Sequence, residues 1–445
     1  MRIRTLTQTL TTLLLLSIPS RTLAQSGAAQ PISTTITTIA KDLPGVRTLV
    51  LDPTNNDILV LARGKQQVVA LTEEPEGSGK FKQTVILDAE QEGLRLTHGM
   101  DLSNGWLYAS SDARIYRWPY RSDRQKINQK GFQVVLRNME EGGQGGAPQG
   151  HSTRHFLWGP DGNFYVGMPS IQNVDSDSSR SRVRRFPFSR NGTIPTDGFD
   201  WQSGAVWADG LRNPLAMSFD QFGRLWEFDN GPDDLNRPDL AQRFGIQADQ
   251  FHNDNPCEEL NILNGPVDKF YGYPDCFSLG NVSSTYPNDA QMMTQYAWPE
   301  NPRGRTDEWC QNPQNNQPPL ACIPAHSSPI FMRFFGNPSD PSAQGCDESD
   351  GAWPCEHEGS AFVTLHGSWN RDHPTGYAVV RVPFKAGNAS SLPMPVQSEV
   401  EYVVKWQGCS AVKMSDNGCF RPTGLVWRKG VMYVGSDGTG EVVSV

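Results

Sequence analysis

Gly162-Asn-Phe-Tyr-Val166 joins a glycine turn to a short aromatic and β-branched run, and the same phrase returns five times. The other copies are Asp57-Ile-Leu-Val60, Gly105-Trp-Leu-Tyr108, Gly223-Arg-Leu-Trp226, Ser360-Ala-Phe-Val363 and Gly430-Val-Met-Tyr-Val434. In each, a turn residue opens the apolar run, and a polar turn and a second alternating strand follow. The first four begin about 48 to 61 residues apart, which is long for a four-stranded blade but within reach of a propeller with generous loops. Hairpins at this spacing would also serve a pair of β-sandwiches or a barrel. Six near-periodic copies favour an all-β chain folded as a six-bladed β-propeller. The wide gap before the fifth copy, residues 235–345, is rich in Asn and Pro and holds four cysteines. It reads as long loop insertions pinned by disulfides to one face. The last strand, Glu441–Val445, is expected to pair beside the first blade and close the ring. Loops between blades then converge on one mouth of a central channel, where residues distant in sequence meet.

Composition agrees with this reading. The 445 residues include 42 Gly and 33 Pro, many interruptions for a helical protein. Arg2 and Arg4, the apolar run Leu10–Ile18 and Thr22-Leu23-Ala24 have the order of a secretory signal peptide over residues 1–24. No run reaches the roughly 20 residues that span a bilayer. The expectation is one soluble, secreted, extracellular and monomeric domain over residues 25–445. A net charge of −9 without a basic stripe argues against nucleic acid and anionic membranes as partners.

All eight cysteines lie in the second half, and an even count in an exported chain reads as disulfides. Short loops are the simplest to close, so the expected pairs are sequence neighbours: Cys257–Cys276, Cys310–Cys322, Cys346–Cys355 and Cys409–Cys419. Three sequons, at Asn191, Asn281 and Asn388, accord with a glycosylating route.

Six motifs follow in order: Gly150-His-Ser-Thr-Arg154 with Gly159-Pro-Asp-Gly162, Gly210-Leu-Arg-Asn-Pro214, Asp229-Asn-Gly-Pro-Asp-Asp234, Tyr271-Gly-Tyr-Pro274, His366-Gly-Ser-Trp-Asn-Arg371 and Arg421-Pro-Thr-Gly424. Together they resemble the soluble sugar dehydrogenases that depend on pyrroloquinoline quinone (PQQ), most closely the fungal pyranose (sorbosone) dehydrogenase branch. The resemblance runs from about residue 45 to the end.

That resemblance implies PQQ held over Ca²⁺. It places the general base at His151, where an imidazole can take a sugar hydroxyl proton near neutral pH. His98 and His366 compete for that role or contact quinone or sugar instead. Arg212 and Asn213 match the pair that polarises the reacting carbonyl, where a fixed cation meets developing negative charge. Gly231 and Pro232 are expected to offer backbone carbonyls to calcium, with Asp233 and Asp234 bound directly or through water. A flat tricarboxylate calls for guanidinium partners and aromatic faces, here Arg63, Arg371 and Arg421, with Trp369 or Tyr273 stacking. Bacterial glucose enzymes carry two closely spaced arginines where this chain has Arg421 alone, after Cys419 and Phe420. Asn173-Val-Asp175 and Ser181–Phe186 also match the fungal branch, in a loop that lines the sugar site or binds a second calcium. Arg180, Arg182, Arg184 and Arg185 in that region read as solvated or PQQ-facing.

The implied reaction is oxidation of a pyranose, an aldose or a 2-keto-aldose such as sorbosone. Without a CxxCH haem motif, electrons must pass to an external acceptor, such as a cytochrome. Two other readings remain: a calcium-dependent lactonase on a six-bladed propeller, and a noncatalytic carbohydrate-binding propeller. Nicotinamide and flavin are disfavoured because no GxGxxG opens a helix, and zinc hydrolysis because HExxH is missing.

Overall fold

In the computed structural model, every copy of the repeated phrase is the second strand of a sheet of four antiparallel strands, to which blades two and three each add a short parallel fifth strand. The second strands are Ile58–Ala62, Trp106–Ser111, Phe164–Met168, Leu225–Asp229, Ala361–Leu365 and Val431–Ser436, in blades one to six. The innermost strands preceding them are Val46–Leu51, Leu96–Ser103, His155–Trp158, Ala216–Phe219, Pro329–Phe334 and Pro422–Arg428. Each innermost strand contacts the next, and the sixth contacts the first, so they close a ring. The protein is a six-bladed β-propeller. The structure describes residues 35–139, 151–177, 179–188, 192–263, 269–280, 292–346, 353–385, 392–396, 400–407, 409 and 418–445. Residues 1–24 and the asparagines Asn191, Asn281 and Asn388 lie outside them.

Ring closure differs in detail from the sequence expectation. Glu441–Ser444 is the third strand of blade six, and its partner is Thr37–Ala40, a strand outside the repeats. The first strand of the described chain thus becomes the outermost strand of the last blade. Blade one begins only at Val46.

The blades bury both faces, which is why strands such as Ile58–Ala62 and Ala361–Leu365 are buried along their whole length. The core is accordingly divided into slabs, one for each pair of neighbouring blades. Leu59, Leu107 and Trp118 fill the first, while Trp226, Phe334 and Val363 fill the fourth. At the fifth interface Trp427 packs edge-on against Phe362, with centroids 4.9 Å apart.

Residues 235–345 carry the expected insertion, which belongs to blade four. Its third strand, Glu258–Ile262, and fourth strand, Ala321–Ile323, are separated by a long excursion containing the hairpin Cys276–Ser278 with Gln295–Ala297 and the short helix Asp307–Gln311. Here neighbour pairing of cysteines fails. The bridges are Cys257–Cys322 and Cys276–Cys310, alongside the expected Cys346–Cys355 and Cys409–Cys419. Cys322 lies opposite Glu259 in the strand ladder, next to Cys257, so the first bridge clamps the base of the excursion. The second lies wholly inside it. Loop entropy favours sequence neighbours only when the chain between them is unstructured.

We predict that non-reducing peptide mapping will recover Cys257 joined to Cys322 and Cys276 joined to Cys310. A peptide joining Cys257 to Cys276 would contradict this architecture.

Candidate active site

Antiparallel pairing sets the start of each innermost strand beside the end of its second strand, so both open on one face. The residues directly after the second strands are Arg63, Asp112, Pro169, Asn230, His366 and Asp437. Arg47, His98, His151, Arg212, Asn213 and Arg421 come from the starts of the innermost strands or the loops leading into them. Toward the opposite face lies a cavity of about 410 Å³ lined by Thr48, His155, Arg333 and Asp340 among others, and His155 packs against His98 with ring centroids 5.6 Å apart.

Asp229 organises the turn into blade four. It is buried, and its two oxygens accept the backbone N–H groups of Arg212 and Asn213, each at 2.7 Å. The Arg212 guanidinium then donates to Asp233 Oδ2 at 3.0 Å and to Asn173 Oδ1 at 3.1 Å. The Asn213 side-chain oxygen is buried with no partner among the described residues. Asp233 Oδ1 accepts from Asn370 at 2.8 Å and lies 3.4 Å from His326 Nδ1. Burial would raise its pKa, yet the His326 and Arg212 partners hold it below the usual range. Both oxygens of Asp233 are therefore engaged within the protein. Asp234 is exposed, in the left-handed region at φ 60°, and forms no side-chain bond among the described residues. The carbonyls of Asn230 and Asp233 accept hydrogen bonds from Arg212 and Asn173, whereas those of Gly231 and Pro232 accept none among the described residues. Hard oxygen donors left open in this way suit a calcium ion completed by ligand carboxylates. No group of three or more His, Cys, Asp or Glu side chains among the described residues could hold a metal by itself.

His151 Nδ1 is 2.9 Å from the Ser170 carbonyl oxygen and 3.0 Å from its hydroxyl. A carbonyl only accepts, so this contact assigns the proton to Nδ1 and leaves the lone pair on Nε2, which has no protein partner among the described residues. Burial, reinforced by the Arg212 charge, lowers the His151 pKa to about 4. His366 is held differently, with Nε2 2.7 Å from Asp437 Oδ1. Asp437 also accepts from Arg47 at 2.7 Å. Burial opposes ionisation there, but His366 and Arg47 keep the Asp437 carboxyl far below its ordinary range.

The remaining sequence candidates divide. Arg63 is exposed at the mouth with its guanidinium unbonded among the described residues. Arg421 is buried, donates to the His366 and Gly367 carbonyls and sits over Tyr377. Trp369 is 54% exposed. His98, in contrast, is fully buried, and its Nδ1 accepts from Arg47 Nε at 3.2 Å, so it lies behind that arginine. Arg371 donates to the Ala325 carbonyl and pairs with Asp254, tying its loop to the insertion. Tyr273 is buried, its hydroxyl accepting the Asp175 N–H and donating to the Asn173 carbonyl. Asp175 is itself taken up by Arg180. Arg182 pairs with Asp209, Arg184 donates to the Gly204 carbonyl, and Arg185 sits over Trp207.

Against known proteins, the TrAA12-like family profile matches residues 32–445. The chain belongs to the TrAA12-like family. It is 28% identical over 423 residues to the pyrroloquinoline quinone-dependent pyranose dehydrogenase of Coprinopsis cinerea, covering 89% of this chain and 51% of that one. The chain thus spans about half the length of that relative. It is 26% identical over 427 residues to the pyrroloquinoline quinone-dependent sugar dehydrogenase of Hypocrea jecorina, covering 91% and 86%. The holo PQQ domain of the Coprinopsis cinerea pyranose dehydrogenase superposes with a TM-score of 0.72 at 25% identity, over 92% of this chain and 94% of that one.

In this TrAA12-like chain, sequence reasoning missed Arg47, Asp437, Asn370 and His326. Asp437 was within reach, because it follows the sixth second strand as His366 follows the fifth and Arg63 the first. Arg47 belongs to the opening of the first innermost strand. Asn370 lies inside the His366–Arg371 motif, whereas His326 carries no such positional signal.

Between pH 6.5 and about 4 the unfolded chain binds a proton at His151 that the folded protein does not. Folding stability should therefore fall as pH is lowered through that window. His151→Asn should flatten the slope by at most about 1.4 kcal/mol per pH unit, measured by urea unfolding across pH 4.5–7. Equal slopes in the two proteins would refute the buried neutral imidazole.

Proposed function

We propose that this chain is a secreted quinoprotein that oxidises a sugar using PQQ and Ca²⁺ and passes electrons to an external acceptor. The observation that carries the reading is the placement of His151, with its Nε2 lone pair unengaged, beside Arg212 and the Gly231–Pro232 turn. The names of its relatives, the signal-peptide pattern of residues 1–24 and the arginines gathered at one mouth support it. A lactonase would have no use for Arg47, Arg63, Arg212 and Arg421 on a single face.

When bound, PQQ and calcium supply a two-electron sink and a Lewis acid. His151 takes the substrate hydroxyl proton at Nε2, while its Nδ1–H stays anchored on Ser170. Because burial keeps it neutral above about pH 4, it needs no prior deprotonation at neutral pH. Arg212, fixed by Asp229, Asp233 and Asn173, supplies a cation where negative charge develops, with no reorganisation during reaction. Gly231 and Pro232 would hold calcium through their carbonyls. Arg63 and Arg421 offer charge to cofactor carboxylates, and Trp369 offers an exposed aromatic face. The substrate class is a pyranose, an aldose or a 2-keto-aldose.

The test is dye-linked oxidation of a sugar panel by apo-protein, with PQQ and Ca²⁺ added singly and together. Turnover should require both and fall about 10²- to 10⁴-fold in His151→Ala. If His366→Asn abolishes turnover while His151→Ala retains it, the base is His366, which Asp437 orients. Absence of PQQ binding and turnover would refute the quinoprotein reading.

A further inference from the structure

Glu258 opens the third strand of blade four, is 2% exposed and belongs to none of the six motifs. Its Oε2 accepts the Gly231 N–H at 2.8 Å and its Oε1 accepts the Ser328 N–H at 3.0 Å. Gly231 lies in the turn whose carbonyls are open to calcium. Ser328 directly precedes the innermost strand of blade five, and its own carbonyl accepts the His366 N–H at 2.8 Å. One carboxylate therefore ties the Gly231 turn to the backbone that carries His366. Pro256 closes the other side of the turn, since a Cβ added to Gly231 would meet Pro256 Cγ at 2.7 Å. Between these contacts the peptide planes on either side of Gly231 have little freedom.

From this geometry we infer that Glu258 is a positioning residue that aims the Gly231 and Pro232 carbonyls at a calcium ion and fixes their register against blade five. The inference rests on the quinoprotein reading above. Backbone carbonyls are good calcium ligands only when they converge, and nothing in the Asn-Gly-Pro turn itself compels them to. A buried carboxyl group that accepts both amides supplies that constraint. Outer groups that orient metal ligands typically alter metal affinity about 10- to 100-fold when removed. Gln at this position keeps one acceptor but turns an –NH₂ donor toward the other amide, so one of the two bonds is lost without a change of shape.

The test titrates Ca²⁺ into apo wild type, Glu258→Gln and Glu258→Asp at fixed PQQ. Cofactor binding is read from quenching of tryptophan fluorescence, and the calcium-free thermal midpoint and turnover are recorded in parallel. The half-saturating Ca²⁺ concentration should rise about 10- to 100-fold in Glu258→Gln, with turnover returning close to wild type once calcium saturates. An unchanged calcium requirement overturns the inference and leaves the quinoprotein reading intact, even if the thermal midpoint drops. Failure of wild type to bind PQQ with calcium overturns both. Should Glu258→Gln not fold, Glu258→Asp decides the question by the same calcium titration, because it keeps the carboxyl group but is too short to reach both amides.

Discussion

The structure depends on the closure of its innermost strands into a ring. No blade can bury its two apolar faces alone, so each needs a neighbour on both sides. The first and last blades have such neighbours only because Pro422–Arg428 packs against Val46–Leu51. Pairing of Thr37–Ala40 with Glu441–Ser444 secures the seam by placing one end of the chain in the same sheet as the other. With the seam closed, residues from six separate stretches acquire fixed relative positions. Arg47 and Asp437, 390 residues apart, can then share a 2.7 Å ion pair at the mouth.

Carboxylates organise that mouth. Asp229 holds the Arg212 and Asn213 amides, Asp233 holds the Arg212 guanidinium and Asn370, and Asp437 holds His366 and Arg47. Every one joins different turns or blades, so the site is cross-linked by charge where apolar packing stops. Such groups are expensive to bury unless fully partnered, and here the partners include the Arg212 and Arg47 guanidiniums and the His366 imidazole. The same contacts that hold these side chains in place also set the charge around them.

The blade-four excursion adds a second level of order. Its bridge Cys257–Cys322 closes the base between adjacent strands, and Cys276–Cys310 braces the interior. Just ahead of Cys257, Asp254 and Asn253 reach the loop after the second strand of blade five, meeting Arg371 and Asp372. Arg371 thus holds the loop on which Trp369 is displayed.

The sequence by itself determined the six blades, because each second strand must repeat a turn and an apolar run to fit between neighbours, and that repetition is local. It also marked the turns that would carry His151, Arg212, Gly231, Pro232 and His366, since glycine, proline and asparagine at a turn reflect backbone demands a single segment reveals. The partners of Cys257 and Cys276, the burial of His98 behind Arg47, the diversion of Arg371 to Asp254 and the joining of His326 and Asn370 to Asp233 were decided by tertiary structure alone. Each turns on distances between segments far apart in the chain, and those distances are set by the ring's closure and by the fold of the insertion, which no local pattern of residues encodes.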